Sequence, residues 1–264
     1  MNNVFDSLIT NVKPIVFTGK LTYKLSFHKK RKIQNAKWIK HSLIDLGPTY
    51  VKIGQIISTR SDLFPKYITD ELQNLQDNLP NEIPIEQIEN IFFTTFNENI
   101  DDHFDSFEIE PIASASISQV HRARLKNDQI VAVKFLKPGI EKCFANDIAF
   151  LNGFVKLLSI FNNKRIQDIL MIISECANSI EKEINLLNEK RNIIVFSKLF
   201  GDQIHIPRVY SKFTTSNILT MQYISGVKIS NIDFLQKNDI DLEELSERLM
   251  LLFIQMILDY GYVH

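Results

Sequence analysis

The sequence predicts an α+β fold with three parts: an N-terminal helical extension over residues 1–105, a small strand-rich lobe over 106–226, and the opening of a helical lobe over 227–264. Three observations carry that reading. Residues 111–138, PIASASISQVHRARLKNDQIVAVKFLKP, read as two strands joined at a polar Lys126-Asn127-Asp128 tip. The stretches on either side repeat apolar residues at the three- and four-residue spacing of helices. The segment from Asp241 to Tyr260 is apolar all round in its second half, as in a helix buried within a larger helical lobe.

The elements follow in chain order. The first 44 residues carry nine Lys/Arg and one acid, a net of +8, and the remainder sums to −9 beneath a whole-chain charge of −1. Lys29, Lys30, Arg31, Lys32, Lys37 and Lys40 are interleaved with Phe27, Ile33 and Trp38, the pattern of a segment lying on an anionic membrane face. Nucleic acid is disfavoured as a partner, because the acidic remainder repels a phosphate backbone. Gly47 and Pro48 then precede a helix with Lys52, Gln55 and Thr59 on one face and Val51, Ile53, Ile56 and Ile57 elsewhere. Gly54 inside it costs roughly 1 kcal/mol relative to alanine, which points to close packing against another backbone. Pro80 and Pro84 mark a break before a short helix over Ile85–Phe96.

In the hairpin, Ala113, Ser114, Ala115, Ser116 and Ser118, with Ile117 among them, form a loop whose small side chains let backbone amides approach phosphate oxygens. On the strand that follows, Val131 and Val133 share one face and Ala132 and Lys134 the other. Lys134 therefore shares a side with a residue small enough for an adenine ring to lie against. Val-Ala-Val-Lys also matches the strand signature in which a lysine pairs the α- and β-phosphates of ATP and a carboxylate on a nearby helix. A long helical stretch runs from Asn146 to Phe200. Taken as one helix, it sets Glu183 and Glu189 about 120° apart, so the two carboxylates face different partners. Strands near Ile206–Val209 and Ile218–Tyr223 complete the lobe. In the last helix Leu242, Leu245, Leu249, Leu252 and Met256 form one stripe, with Phe253, Ile254, Ile257 and Leu258 on the other sides.

A chain that is 45% hydrophobic and 23% charged has the composition of a globular protein. Cys143 and Cys176 are too few for a disulfide framework and are not spaced as a metal site, so a reducing compartment is expected. With no secretory signal pattern and no apolar run of about 18 residues, the expectation is a cytoplasmic protein, peripheral on the inner face of a membrane.

Four blocks resemble the UbiB family of atypical kinases, kinase-like proteins associated with ubiquinone biosynthesis. The first is LGPTYVKIGQIISTRSDLFPKYITDELQNLQDNLP, from Leu46 to Pro80, with the Lys-x-Gly-Gln element as Lys52, Ile53, Gly54 and Gln55. The second is the alanine-rich loop, where Ser114 stands in for a usual alanine, and the third is the strand ending at Lys134. The fourth is SIEKEINLLNEKRN, from Ser179 to Asn192, holding Glu183, Glu189 and Asn192 of two acidic motifs. Asn185 replaces an aspartate there, and Lys190 an alanine.

The resemblance implies a protein-kinase-like small lobe that takes ATP with Mg²⁺. It pairs Glu189 with Lys134 beside the phosphates and Glu183 with Lys52. It lays the Lys-x-Gly-Gln helix across the place where a protein substrate would bind, which favours ATPase activity or a small acceptor. The nucleotide set it implies is Ala113, Ser114, Ala115, Ser116, Ile117, Ser118, Ala132, Lys134 and the hinge residues Gln222 and Tyr223, with Gln222 where an acid is more usual. Family members continue from a histidine such as His264 into the catalytic aspartate and the metal ligands. Those ligands are accordingly expected beyond residue 264, in a longer product or a second fragment, with none inside the chain. The implied role is support of ubiquinone biosynthesis, with an adenine nucleotide, an anionic membrane surface or ubiquinone-biosynthesis proteins as partners. The alternative is a non-catalytic lipid-associated scaffold or pseudokinase-like binding module.

Overall fold

The structure is a computed structural model that describes residues 32–75, 82–158 and 164–263. Phe27, Lys29, Lys30 and Arg31 of the basic arm lie outside the described residues. The chain divides into two compact units after Tyr223.

Gly47 makes the first corner. Its φ of 114° lies in a region that favours glycine. Its N–H bonds back to Leu43 at 3.3 Å and Ile44 at 3.1 Å, closing α1 (Lys32–Leu46), and its carbonyl accepts from Val51 at 3.0 Å, opening α2 (Pro48–Ser58). Pro48 takes the first helical position, where its missing N–H leaves no bond unmade. With α3 (Lys66–Gln73), these helices bury Ala36, Ile39, Leu43, Tyr50, Val51, Ile53, Leu72 and Leu75 in one cluster. Two side chains expected on a membrane face turn inward instead: Trp38 packs on this cluster, and Lys40 pairs with Glu71 of α3. Ile33 remains 66% exposed.

The sheet is antiparallel throughout. It comprises β1 (Phe104–Phe107), β2 (Ala113–Ser114), β3 (Ser118–Leu125), β4 (Ile130–Leu136) and β5 (Ile218–Gln222), in the order β1-β3-β4-β5 with β2 also on β3. The β3–β4 turn is the one expected: Asp128 takes φ 65° and Leu125 N–H bonds the Gln129 carbonyl at 2.9 Å. Alternation along β4 sends Val131, Val133 and Phe135 to one face. There they are buried with Ala123, Leu125 and Ile218, beneath Ile88 and Phe92 of α4 (Ile85–Phe96) and Ile100 of α5 (Ile100–His103). Ala132 and Lys134 point to the opposite face, as period two requires.

Three helices, α6 (Ile140–Leu158), α7 (Lys164–Glu183) and α8 (Leu186–Phe200), replace the single expected stretch from Asn146 to Phe200. The break after Glu183 has a local cause. Asn185 is extended, at φ −128° and ψ 99°, and its side-chain oxygen accepts from Leu187 N–H at 3.0 Å, which makes it the N-cap of α8. Asn188 Nδ2 donates to the Lys182 carbonyl at 3.2 Å, serving the end of α7. Ile172 and Cys176 of α7 enter the α1–α3 cluster. The expected strand near Ile206–Val209 is a single bridge between Val209 and Met221.

In the second unit, Asn231 caps α9 (Ile232–Lys237) and Asp241 caps α10 (Leu242–Leu258), the latter accepting from Glu243 and Glu244 N–H at 2.8 and 3.2 Å. Leu252 and Met256 of the expected stripe are buried, whereas Phe253, Ile257 and Leu258 of the other sides are 48%, 57% and 76% exposed. Among the described residues no helix is long and apolar enough to cross a membrane.

Candidate functional site

The site begins with β4. Lys134 is flanked by Val120 on β3 and Leu219 on β5, which fixes where its side chain leaves the sheet. Its Nζ meets Glu189 Oε2 at 2.6 Å, with the two side chains 22% and 37% exposed. Glu189 lies in the first turn of α8, where the helix dipole favours a carboxylate. That turn is fastened to the sheet region: Leu186 N–H bonds the Ser216 carbonyl at 2.8 Å, and the Leu186 side chain is buried with Ile117, Leu136, Ile140 and Leu219. An ion pair this open to solvent is worth on the order of 1 kcal/mol to stability. Its larger effect is to hold a cationic amine aimed along one face of the sheet.

The second pair is Lys52 with Glu183, at 2.5 Å, and Ser179 Oγ supports the same carboxylate at 3.4 Å. The rest of the Lys-x-Gly-Gln element is structural. Gly54 leaves room for the side-chain ends of Leu43 and Leu75, correcting the expected approach of another backbone. Gln55 Nε2 donates to the Leu75 carbonyl at 2.8 Å. Both acidic partners are those the resemblance implied, but the angular argument that separated them fails. Glu183 ends α7 and Glu189 begins α8, so they do not share a helix axis.

The loop is tied down more than its composition implies. Ala113 and Ala115 are exposed, but Ser116, Ile117 and Ser118 are buried. Ala115 N–H bonds the Ser118 carbonyl at 2.8 Å, and the Ile117 carbonyl accepts from Lys137 N–H at 2.9 Å. Ile117 thus sends its side chain into the core, leaving residues 113–115 as the accessible part. Ser114 Oγ is buried without a hydrogen-bond partner. Ala113, Val120, Lys134 and Leu219 form one row across the sheet, so the loop begins two strands, roughly 10 Å, from Lys134. At the expected hinge, both amides are committed: Gln222 N–H to the Arg208 carbonyl at 2.8 Å and Tyr223 N–H to the Ile130 carbonyl at 3.1 Å.

The register places further residues beside Ala132 that the motifs did not reveal. Arg122 lies across from it on β3 and Met221 on β5, with Val120 in the row of Lys134. The alternation of β3 contained this signal, but only the pairing register says which residue meets Ala132. A second unforeseen group joins α2 to α6. Asp147 is buried and takes a long hydrogen bond from Cys143 Sγ at 3.6 Å. Burial pushes its carboxyl above the usual range, and the Cys143 thiol pulls it partly back. Burial likewise pushes the thiols up, Cys143 to about 11 and Cys176 to about 12, so both stay protonated. Among the described residues no group of three or more His, Cys, Asp or Glu is placed to hold a metal ion. A polar hollow of about 590 Å³ lies behind the start of α8, lined by Glu141, Asn178, Glu181, Lys182, Asn185 and Ser216, and neither Lys134 nor Glu189 borders it.

Known proteins are similar to this chain over the residues that build the site. The pattern described as the ABC1 atypical kinase-like domain matches residues 74–264. A protein of Synechocystis sp. is 36% identical over 242 residues, covering 89% of this chain and 41% of that protein. Protein ACTIVITY OF BC1 COMPLEX KINASE 8, chloroplastic, of Arabidopsis thaliana is 34% identical over 254 residues, 93% of this chain and 33% of its own length. The probable protein kinase UbiB of Cellvibrio japonicus is 31% identical over 239 residues, 88% of this chain and 43% of its own length. The chain therefore spans less than half the length of each of these relatives. The match covers the sheet, its lysine and the helix that supplies the opposing glutamate, and the chain belongs to the ABC1 atypical kinase-like family, together with the UbiB kinases.

Proposed function

We propose that this chain is the nucleotide-binding part of an ABC1/UbiB atypical kinase or ATPase. It takes ATP with Mg²⁺ on the Ala132–Lys134 face and supports ubiquinone biosynthesis at an anionic membrane surface. The observation that carries the reading is the Lys134–Glu189 pair at 2.6 Å on the face that also bears Ala132. Preorganised cations are the main requirement for handling a triphosphate, and Lys134, held by Glu189, supplies one, with exposed Ala113 on the same row of the sheet. ATP supplies the phosphoryl group. Among the described residues no cluster is placed to hold a divalent ion, and the chain's own residues bind and orient the nucleotide.

The Lys52–Glu183 pair joins the Lys-x-Gly-Gln helix to α7, and laid across the acceptor position, as the family resemblance implies, that helix favours a small phosphoryl acceptor or water over a folded protein. The membrane reading rests on the +8 charge of the first 44 residues.

ATP-dependent thermal stabilisation tests the nucleotide reading. The wild-type chain should melt several degrees higher with millimolar ATP, and Lys134→Ala should lose that shift. Equal shifts in both would remove Lys134 from the site. Salt-sensitive binding to anionic vesicles, lost when residues 1–31 are deleted, tests the membrane reading. Vesicle binding with no nucleotide effect would favour the lipid-associated scaffold instead.

A further inference from the structure

Arg122 occupies the same sheet face as Lys134, one row toward the outer end. It stands across from Ala132, and its row continues to Met221 on β5. Its guanidinium carbon lies 5.0 Å from the centre of the Tyr223 ring, and Nη1 meets Glu108 Oε1 at 3.2 Å. A side chain rooted on β3 thus reaches across β4 to the residue that follows β5. Ala132, between them on β4, is only 5% exposed.

We propose that Arg122 is a base-positioning residue. Held by Glu108 and by the Tyr223 ring, its guanidinium forms the outer wall against which the purine of a nucleoside triphosphate stacks while Lys134 holds the phosphates. This rests on the nucleotide reading above. Three features support it. The distance suits the ligand, since two residues along β4 separate Ala132 from Lys134 by roughly 7 Å, comparable to the reach from a base to its phosphates. The chemistry suits a base, because guanidinium planes stack on flat π systems. The charge is already balanced by Glu108, so Arg122 adds little extra pull on phosphate, and at 38% side-chain exposure it is open to a ligand. A wall of this kind favours the larger purine surface over a pyrimidine.

The test compares ATP, CTP and inorganic tripolyphosphate binding to the full chain in the wild type, Arg122→Ala and Arg122→Lys. Arg122→Ala should weaken ATP binding by about fivefold to thirtyfold and narrow the preference for ATP over CTP. Arg122→Lys should behave much the same, because an ammonium keeps the charge without the plane. Tripolyphosphate, which has no base, should bind all three proteins alike. Unchanged ATP affinity in both variants overturns the proposal and leaves the nucleotide reading standing. Equal weakening of ATP and tripolyphosphate also overturns it, because Arg122 would then act as a phosphate-attracting charge. A wild-type chain that binds neither ligand overturns the nucleotide reading itself. Melting temperatures near that of the wild type show that the variants fold.

Discussion

A methyl group on residue 54 would lie 2.6 Å from Leu75 Cδ1 and 2.9 Å from Leu43 Cδ1, both at the ends of buried side chains. Those ends can swing, and alanine regains roughly 1 kcal/mol of helix propensity, so Gly54→Ala should lower unfolding free energy in urea by only about 1 kcal/mol. Gly54→Val, with more bulk and no such gain, should cost about 3 kcal/mol. The residues of this motif were legible to different degrees. Lys52 and Lys134 could be matched to their glutamates because charge and motif both point to a pair. Gln55 could not, because its partner is a backbone carbonyl 20 residues away that carries no mark in the sequence. His121 was equally hidden. It is fully buried, with Nδ1 at 2.8 Å from the Glu108 carbonyl and Nε2 at 2.9 Å from Gln119 Nε2, a setting that assigns it a neutral ring. Burial lowers its pKa below the ordinary 6.5. The unfolded chain then binds the proton more readily, so this stability is complete above 6.5 and is lost as pH falls through the lower folded value. Melting temperature should accordingly drop on acidification below 6.5, and His121→Gln should flatten that dependence.

Helix ends decide how the site is assembled. Asn185→Ala removes the cap of α8 and should cost about 1 kcal/mol, whereas Asn185→Asp, which keeps the accepting oxygen, should stay within about 0.5 kcal/mol of the wild type in denaturant unfolding. The break was present in the sequence as an asparagine followed by an acid in the next turn. The unbroken helical spacing of SIEKEINLLNEKRN outweighed it, and the two helices read as one. Between α2 and α6, Asp147 presents the opposite linkage to His121. Its folded carboxyl prefers the proton, so its stabilising contribution is full below the ordinary 3.8 and is lost as pH rises through the raised value. Asp147→Asn should therefore melt no lower than the wild type at pH 7, a result that thermal scans at neutral and acidic pH can check.

At the scale of the whole molecule, the hairpin was readable because its pairing is local, with β3 and β4 joined by a four-residue turn, whereas β5 joins β4 from a distant part of the chain. The helical packing was not, because spacing shows which face of a helix is apolar and not what covers it. The difference matters for dissecting the basic arm. Ala36, Ile39 and Leu43 belong to the α1–α3 core, and each buried apolar side chain of leucine size contributes about 1.5–3 kcal/mol. A chain lacking residues 1–44 should lose cooperative thermal unfolding, whereas one lacking 1–31 keeps every described core residue. The corner between α7 and α8 has a wider consequence. Only Ile184 and Asn185 separate the helix that ends in Glu183 from the helix that carries Glu189, so the two lysines are held by different helices. A shift at that corner would move one carboxylate relative to the other, so that the Lys52–Glu183 pair opens while Lys134 stays paired with Glu189.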